Sequence, residues 1–158
     1  MFITEYNRFV DRKIVSFDFD GVLHTDVIPG TIHPVDYGTK MDWTPNKTIH
    51  RILRSEHRAG NKIIVVSARG YELFDWSSEN RDVIDMKEIM WKFLDRYKLP
   101  VDDIILTDGY KKIKFLTQLN VIRHYDDNFD MEEELKNTNI EFVYVQKDKI
   151  IKRIKNGH

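Results

Sequence analysis

Two aspartates spaced by one residue, Asp18 and Asp20, close the apolar run KIVSFDFD, which breaks at Gly21. A second acidic pair, Asp126 and Asp127, follows the run VIRHY, and Ser67 stands near the end of a third run, KIIVVSA. Carboxylates brought together repel one another, and burial raises the cost, so a hard cation is their natural neutraliser. Mg²⁺ fits best, because it accepts a few carboxylates plus water and phosphate oxygens, and the chain has no Cys to direct the site toward a softer metal. Beside such an ion Asp18 stays ionised at neutral pH and can attack phosphorus, giving an aspartyl-phosphate that water later hydrolyses. In an extended segment Asp20 shares a face with Asp18. It is expected to act as acid and then base, provided its surroundings keep it protonated. Gly21 lets the backbone turn and bring amides to the phosphoryl group. Ser67 can donate to a phosphoryl oxygen, and one of Lys111, Lys112 and Lys114 can balance the charge that develops in transfer.

These groups meet only if their elements share an edge. The β-rich runs from Lys13 and from Lys62, DIILT at 103–107, VIRHY at 121–125 and EFVYV at 141–145 read as five strands. Between them, Thr44-Pro45 offers a cap and a first helical residue for a helix that Gly60-Asn61 stops. Met86, Ile89, Met90, Phe93, Leu94 and Tyr97 mark one face of a helix over 82–97 that Pro100 closes, and shorter helices are expected at 112–119 and 131–136. The stretch from His24 to Trp43, with Pro29, Gly30, Pro34 and Gly38, reads as a long loop, and a polar loop precedes the second helix. Strands alternating with helices predict a three-layer α/β sandwich around a mainly parallel five-stranded sheet, with the ligand beyond the C-terminal strand ends.

Composition narrows the class. The chain has 158 residues, of which 41% are apolar, enough for one compact domain with a single sizeable core. Its 25 Lys and Arg nearly cancel 26 Asp and Glu, so no global field selects nucleic acid or membrane, and an anionic substrate must be held locally. The N-terminal MFITEYNRFVDRK lacks an apolar secretory core, and no apolar run is long enough to span a bilayer. A soluble protein is expected, with the cytoplasm as its default location.

In the order DFDGVL, VVSARG, the lysine cluster 111–114 and HYDDN, the chain resembles the haloacid dehalogenase superfamily of phosphatases over roughly residues 14–128. The resemblance implies that Asp18 is the nucleophile and Asp20 the acid/base. It also implies that Mg²⁺ is held by Asp18, the Asp20 backbone carbonyl, and Asp126 or Asp127. Lys112 sits where the family's lysine opens its helix, with Lys111 the runner-up. Neither interval that carries a cap in the family has room for a full one, so large or polymeric substrates would be admitted. VVSARG also resembles, more loosely, the phosphatase half of polynucleotide kinase-phosphatases. This directs expectation to a nucleotide or a polynucleotide 3′-phosphate end, with Gly21, Ala68, Arg69 and Lys111 on the substrate side. Sugar phosphates are the alternative, and no obligate protein partner is implied.

Trp43, Tyr71 and Trp76, with Arg69 and Arg81, are read first as half-buried loop packing, with a stacking and phosphate-gripping surface over the site as the alternative. His24, His33 and His124 are read as structural or surface residues. A phosphorylatable switch domain would also combine a parallel sheet, an acidic Mg²⁺ cluster and a lysine. Its acceptor could only be Asp108, and it would leave Asp126 and Asp127 without a role.

Overall fold

A computed structural model describes residues 12–26, 43–74 and 83–156. Along the chain run β1 (Ile14–Phe17), α1 (Lys47–Arg58), β2 (Lys62–Ser67), β3 (Glu72–Phe74), β4 (Val83–Asp85), α2 (Met86–Arg96) and β5 (Asp103–Leu106). They are followed by α3 (Lys112–Gln118), β6 (Val121–Asp126), α4 (Met131–Leu135), β7 (Glu141–Gln146) and β8 (Lys149–Ile154). The main sheet runs β5-β2-β1-β6-β7-β8, parallel throughout except for β8, which lies antiparallel to β7.

Successive side chains of a strand point to opposite faces, and here each face meets its own helices. Val15, Phe17, Ile63 and Val65 pack with Ile49 and Leu53 of α1 and with Ile89, Met90 and Phe93 of α2. Ile64, Val66 and Phe142 pack with Leu116 of α3 and with Met131 and Leu135 of α4. The result is the expected three-layer α/β sandwich, in which each buried Val, Ile, Leu or Phe contributes roughly 1.5–3 kcal/mol through removal from water.

The sheet has six strands in place of the expected five. The missed strand, KIIKRI at 149–154, is an edge strand on which charged residues interrupt the apolar ones, as edges commonly are. It returns through Lys147-Asp148, where Lys147 takes a φ of 55° without the Gly or Asn that signals such a turn. The polar loop before α2 holds another surprise: β3 and β4 pair antiparallel as a small separate sheet, Glu72 opposite Asp85. In consequence α2 begins at Met86, four residues later than expected, with the Asp85 side chain accepting from the Glu88 amide at 3.2 Å. The first helix likewise starts beyond Thr44-Pro45, with Asn46 as its cap.

Strand order turns around β1, which has β2 on one side and β6 on the other, so the C-terminal ends of β1 and β6 border the crevice where such sheets bind ligands. Phe17 lies opposite Tyr125 with the rings stacked at 4.3 Å, and the Asp18 amide donates to the Tyr125 carbonyl at 2.8 Å. Asp18 and Asp126 therefore leave the sheet side by side.

The turn after β1 is tied to α1. The Leu23 carbonyl accepts from the Asn46 amide at 3.0 Å and faces His50 Nε2 at 2.7 Å. Burial, opposed by that backbone bond, holds the His50 imidazole below its ordinary 6.5. The folded state thus resists protonation that the unfolded chain accepts. Stability is full above pH ~6.5 and is lost as the pH falls through the folded-state value. Denaturant titrations at pH 7.5 and 5.5 should show a smaller acid loss in His50→Gln than in the parent, and equal losses would refute the assignment.

Candidate active site

Asp18 and Asp20 are presented by a tight turn. The Val22 and Leu23 amides both donate to the Phe19 carbonyl, at 3.3 and 2.9 Å, and Gly21 adopts a φ of 77°, where a side chain would be strained. Across the sheet edge, the Asp126 carboxylate is tightly held. One oxygen accepts from the Asn128 amide at 3.0 Å, and the other lies 2.7 Å from both Lys112 Nζ and His124 Nε2.

Lys112, the first residue of α3 and 8% exposed, lies 2.7 Å from Asp126 and 2.9 Å from an Asp18 oxygen. Lys111, its helix cap, and Lys114 lie on the exposed side. Of the three lysines, Lys112 is thus the one the fold delivers to the carboxylates. Burial disfavours its charge, but Asp126 and Asp18 outweigh burial and raise its pKa.

One ammonium does not neutralise three carboxylates. Oxygens of Asp18, Asp126 and Asp127 approach within 4.8 Å of one another. Burial, followed by the charge of Asp126, holds Asp18 well above the ordinary carboxylate range, and the same causes push Asp127 up to about 7. Asp126 keeps its charge because Lys112 and the His124 hydrogen bond override burial. Two carboxylates that resist ionisation, the buried Asp18 and the half-buried Asp127, beside the charged Asp126 form a donor set suited to a hard divalent cation. The residues fit Mg²⁺.

Asp20 departs from its expected state. Its carboxylate takes two hydrogen bonds from the Arg69 guanidinium, each 2.8 Å, and lies 2.7 Å from His24 Nε2. Burial alone would raise its pKa, but the bonds from His24 and Arg69 bring it down to about 2. Asp20 is therefore ionised and clamped, not protonated, and its side chain stands outside the three-carboxylate cluster.

Ser67 is buried at the end of β2, its Oγ accepting from the Arg69 amide at 3.2 Å. Ala68 is exposed beside it. Trp43 does not belong to an open stacking surface. It is 5% exposed, stacked on His24 at 5.2 Å and edge-on to Phe19 and Phe93, with the Arg69 guanidinium 5.4 Å from its ring centre. Tyr71, in contrast, is exposed and not half-buried in loop packing. Trp76, Arg81, His33 and most of the 24–43 loop lie outside the described residues.

Two histidines do more here than their sequence suggested. His24 grips Asp20, and His124 bridges Ser16 Oγ and Asp126, 2.7 Å on each side, with all three residues buried. The HxD spacing of His124 and Asp126 was the available signal, since alternate residues of a strand share a face.

No family model and no curated relative matches the sequence. Solved structures do. One chain of the Pnkp1/Rnl/Hen1 RNA repair complex superposes over 85% of this chain with a TM-score of 0.59 at 20% identity, and a chain of a second structure of that complex over 87% with 0.58 at 19%. The D,D-heptose 1,7-bisphosphate phosphatase from B. bronchiseptica, complexed with magnesium and phosphate, matches over 86% with 0.55 at 15%. At these identities the likeness is one of fold, shared with a phosphatase and with chains of an RNA repair complex. The chain spans 42% and 47% of the two repair-complex chains but 82% of the heptose phosphatase. Among the described residues, the interval between β2 and α2 holds only the small β3–β4 pair in place of a cap domain. No helix among them is long and apolar enough to cross a membrane.

Proposed function

We propose that the chain is a Mg²⁺-dependent phosphomonoester hydrolase that works through an aspartyl-phosphate on Asp18. The observation that carries this reading is the meeting of Asp18, Asp126 and Asp127 within 4.8 Å, with Lys112 bridging the first two. Asp18, Asp126 and Asp127 would hold the ion. When bound, it would neutralise the carboxylates and polarise the phosphoryl oxygens.

Asp18 attacks phosphorus, and the leaving oxygen departs with a proton. Lys112 stabilises the charge on the equatorial oxygens, and Ser67 donates its hydroxyl to one of them. Asp20, ionised while Arg69 holds it, has no proton to give until that guanidinium turns to the phosphate dianion, its natural competitor. Freed, Asp20 takes a proton from solvent, passes it to the leaving oxygen and later takes one from the attacking water. Gly21, Ala68, Arg69 and Lys111 line the approach of the substrate.

The substrate we favour is a nucleotide or a polynucleotide 3′-phosphate end. Support comes from the VVSARG segment, from the fold shared with the RNA repair complex chain, and from the absence of a cap domain among the described residues. Asp108 is exposed and outside the acidic cluster, which leaves the switch-domain reading without an acceptor.

Purified protein with Mg²⁺ should release phosphate from p-nitrophenyl phosphate and stop when EDTA is added. A screen of nucleoside 3′- and 5′-monophosphates, 3′-phosphorylated oligonucleotides and sugar phosphates should rank the oligonucleotide first. No release from any of them with Mg²⁺ present would refute the reading.

A further inference from the structure

Two large aromatic side chains stand on the loops that carry the site, and nothing in the chemistry above uses them. Tyr71 is 60% exposed, four residues past Ser67, and Tyr110 is 73% exposed, two residues before Lys112. Exposing a tyrosine ring to water gains nothing for folding, and among the described residues neither ring has a stacking or hydrogen-bonding partner.

The two loops are fastened to each other. The Thr107, Gly109 and Asp108 amides donate to the carbonyls of Ser67, Ala68 and Arg69 at 2.8, 2.9 and 3.1 Å. Thr107 Oγ1 donates to the Tyr110 carbonyl at 2.7 Å, and the Met86 amide donates to the Tyr71 carbonyl at 2.9 Å. Gly70 permits the crossing, since a Cβ there would sit 3.0 Å from an Asp108 oxygen. Both tyrosines therefore stand on hydrogen-bonded loops at the C-terminal strand edge, within a few residues along the chain of Ser67 and Lys112.

The neighbours of the rings define the ligand. Ala68, Gly70 and Gly109 are small, and Lys111 is an exposed cation near the exposed Asp108, while Arg69 is paired with Asp20 and Lys112 with Asp18 and Asp126. A protein-docking face would present contiguous apolar surface. Two isolated π-faces beside the exposed Lys111, on the loops that lead to a phosphoryl site, suit bases next to a phosphorylated end. Phe129, also exposed, is otherwise engaged, edge-on to Tyr144 at 5.1 Å with Lys152 over its ring.

We propose that Tyr71 and Tyr110 form a base-stacking platform at the mouth of the site. It would hold the nucleobases next to the phosphorylated end of single-stranded nucleic acid. This rests on the phosphatase reading for its substrate but makes a separable claim about binding.

The test compares Tyr71→Ala, Tyr110→Ala and the double variant on a short 3′-phosphorylated single-stranded oligonucleotide and on glycerol 2-phosphate, which has no base. Each loss of a ring should raise KM for the oligonucleotide about tenfold, with kcat and glycerol phosphate turnover little changed. Tyr→Phe at either position should restore the parent KM. Anisotropy of the labelled oligonucleotide with the same proteins should show matching losses of affinity. An unmoved oligonucleotide affinity in the double variant overturns the platform, as does an equal loss on both substrates, which would mark the rings as loop supports. A parent that binds the oligonucleotide through the rings yet hydrolyses neither substrate refutes the phosphatase reading and leaves the platform standing.

Discussion

Asp18→Asn is expected to lower phosphate release by roughly a thousandfold or more, because the amide cannot attack phosphorus while the rest of the binding apparatus is untouched. The fold should survive the change. Burial and the neighbouring Asp126 charge both disfavour the Asp18 carboxylate, and Lys112 keeps its bond of 2.7 Å to Asp126 when Asp18 is neutral. A melting temperature equal to or above the parent's is the predicted companion result. Circular dichroism melts beside single-turnover assays would measure both. Parent-like activity in the Asn variant would remove Asp18 from the role of nucleophile.

The second large effect belongs to Lys112. Replacement by Met keeps the aliphatic stem but strips the ammonium from a nest of buried carboxylates, and breaking one side of a buried ion pair costs about 3–5 kcal/mol. Urea unfolding without added metal should report a loss of that order. Turnover should fall about a hundredfold, since the transferring phosphoryl group loses its fixed cation. Saturating Mg²⁺ should then restore more stability to Lys112→Met than it adds to the parent, because the ion supplies the positive charge that the variant lacks. Equal stabilisation of both proteins by Mg²⁺ would show that the ion does not share the carboxylates with Lys112.

Much of this arrangement was legible in the residues. β1 and β2 are largely apolar runs because both of their faces are covered, β6 is β-rich although Arg123 and His124 interrupt it, and the ends of the three coincide with Asp18, Ser67 and Asp126. That pattern carried the three-layer fold and the meeting of the acidic groups. The residues alone left Lys111, Lys112 and Lys114 open; the family resemblance pointed to Lys112, which is the buried one of the three.

What escaped the sequence was set by contacts distant along the chain. Asp20 gave no sign of its clamp, because Arg69 approaches it from 49 positions away. Trp43 and Tyr71 read alike, as half-buried loop residues or a stacking surface, whereas Phe19, His24 and Phe93 enclose Trp43 and Tyr71 is exposed. β8 escaped because an edge strand with one exposed face has no strong apolar signature. β3 and β4 are only three residues each, too short for a period to register.

The most direct measurement follows the phosphoryl group itself. Mixing the protein with substrate and Mg²⁺, quenching in acid, reducing with borohydride and mapping peptides by mass spectrometry converts any aspartyl-phosphate into homoserine at the position that carried it. The account predicts homoserine at Asp18, absent when EDTA replaces Mg²⁺ or when Asp18 is Asn. Homoserine at Asp108 or another carboxylate, or rapid phosphate release with Asp18 never modified, would contradict it.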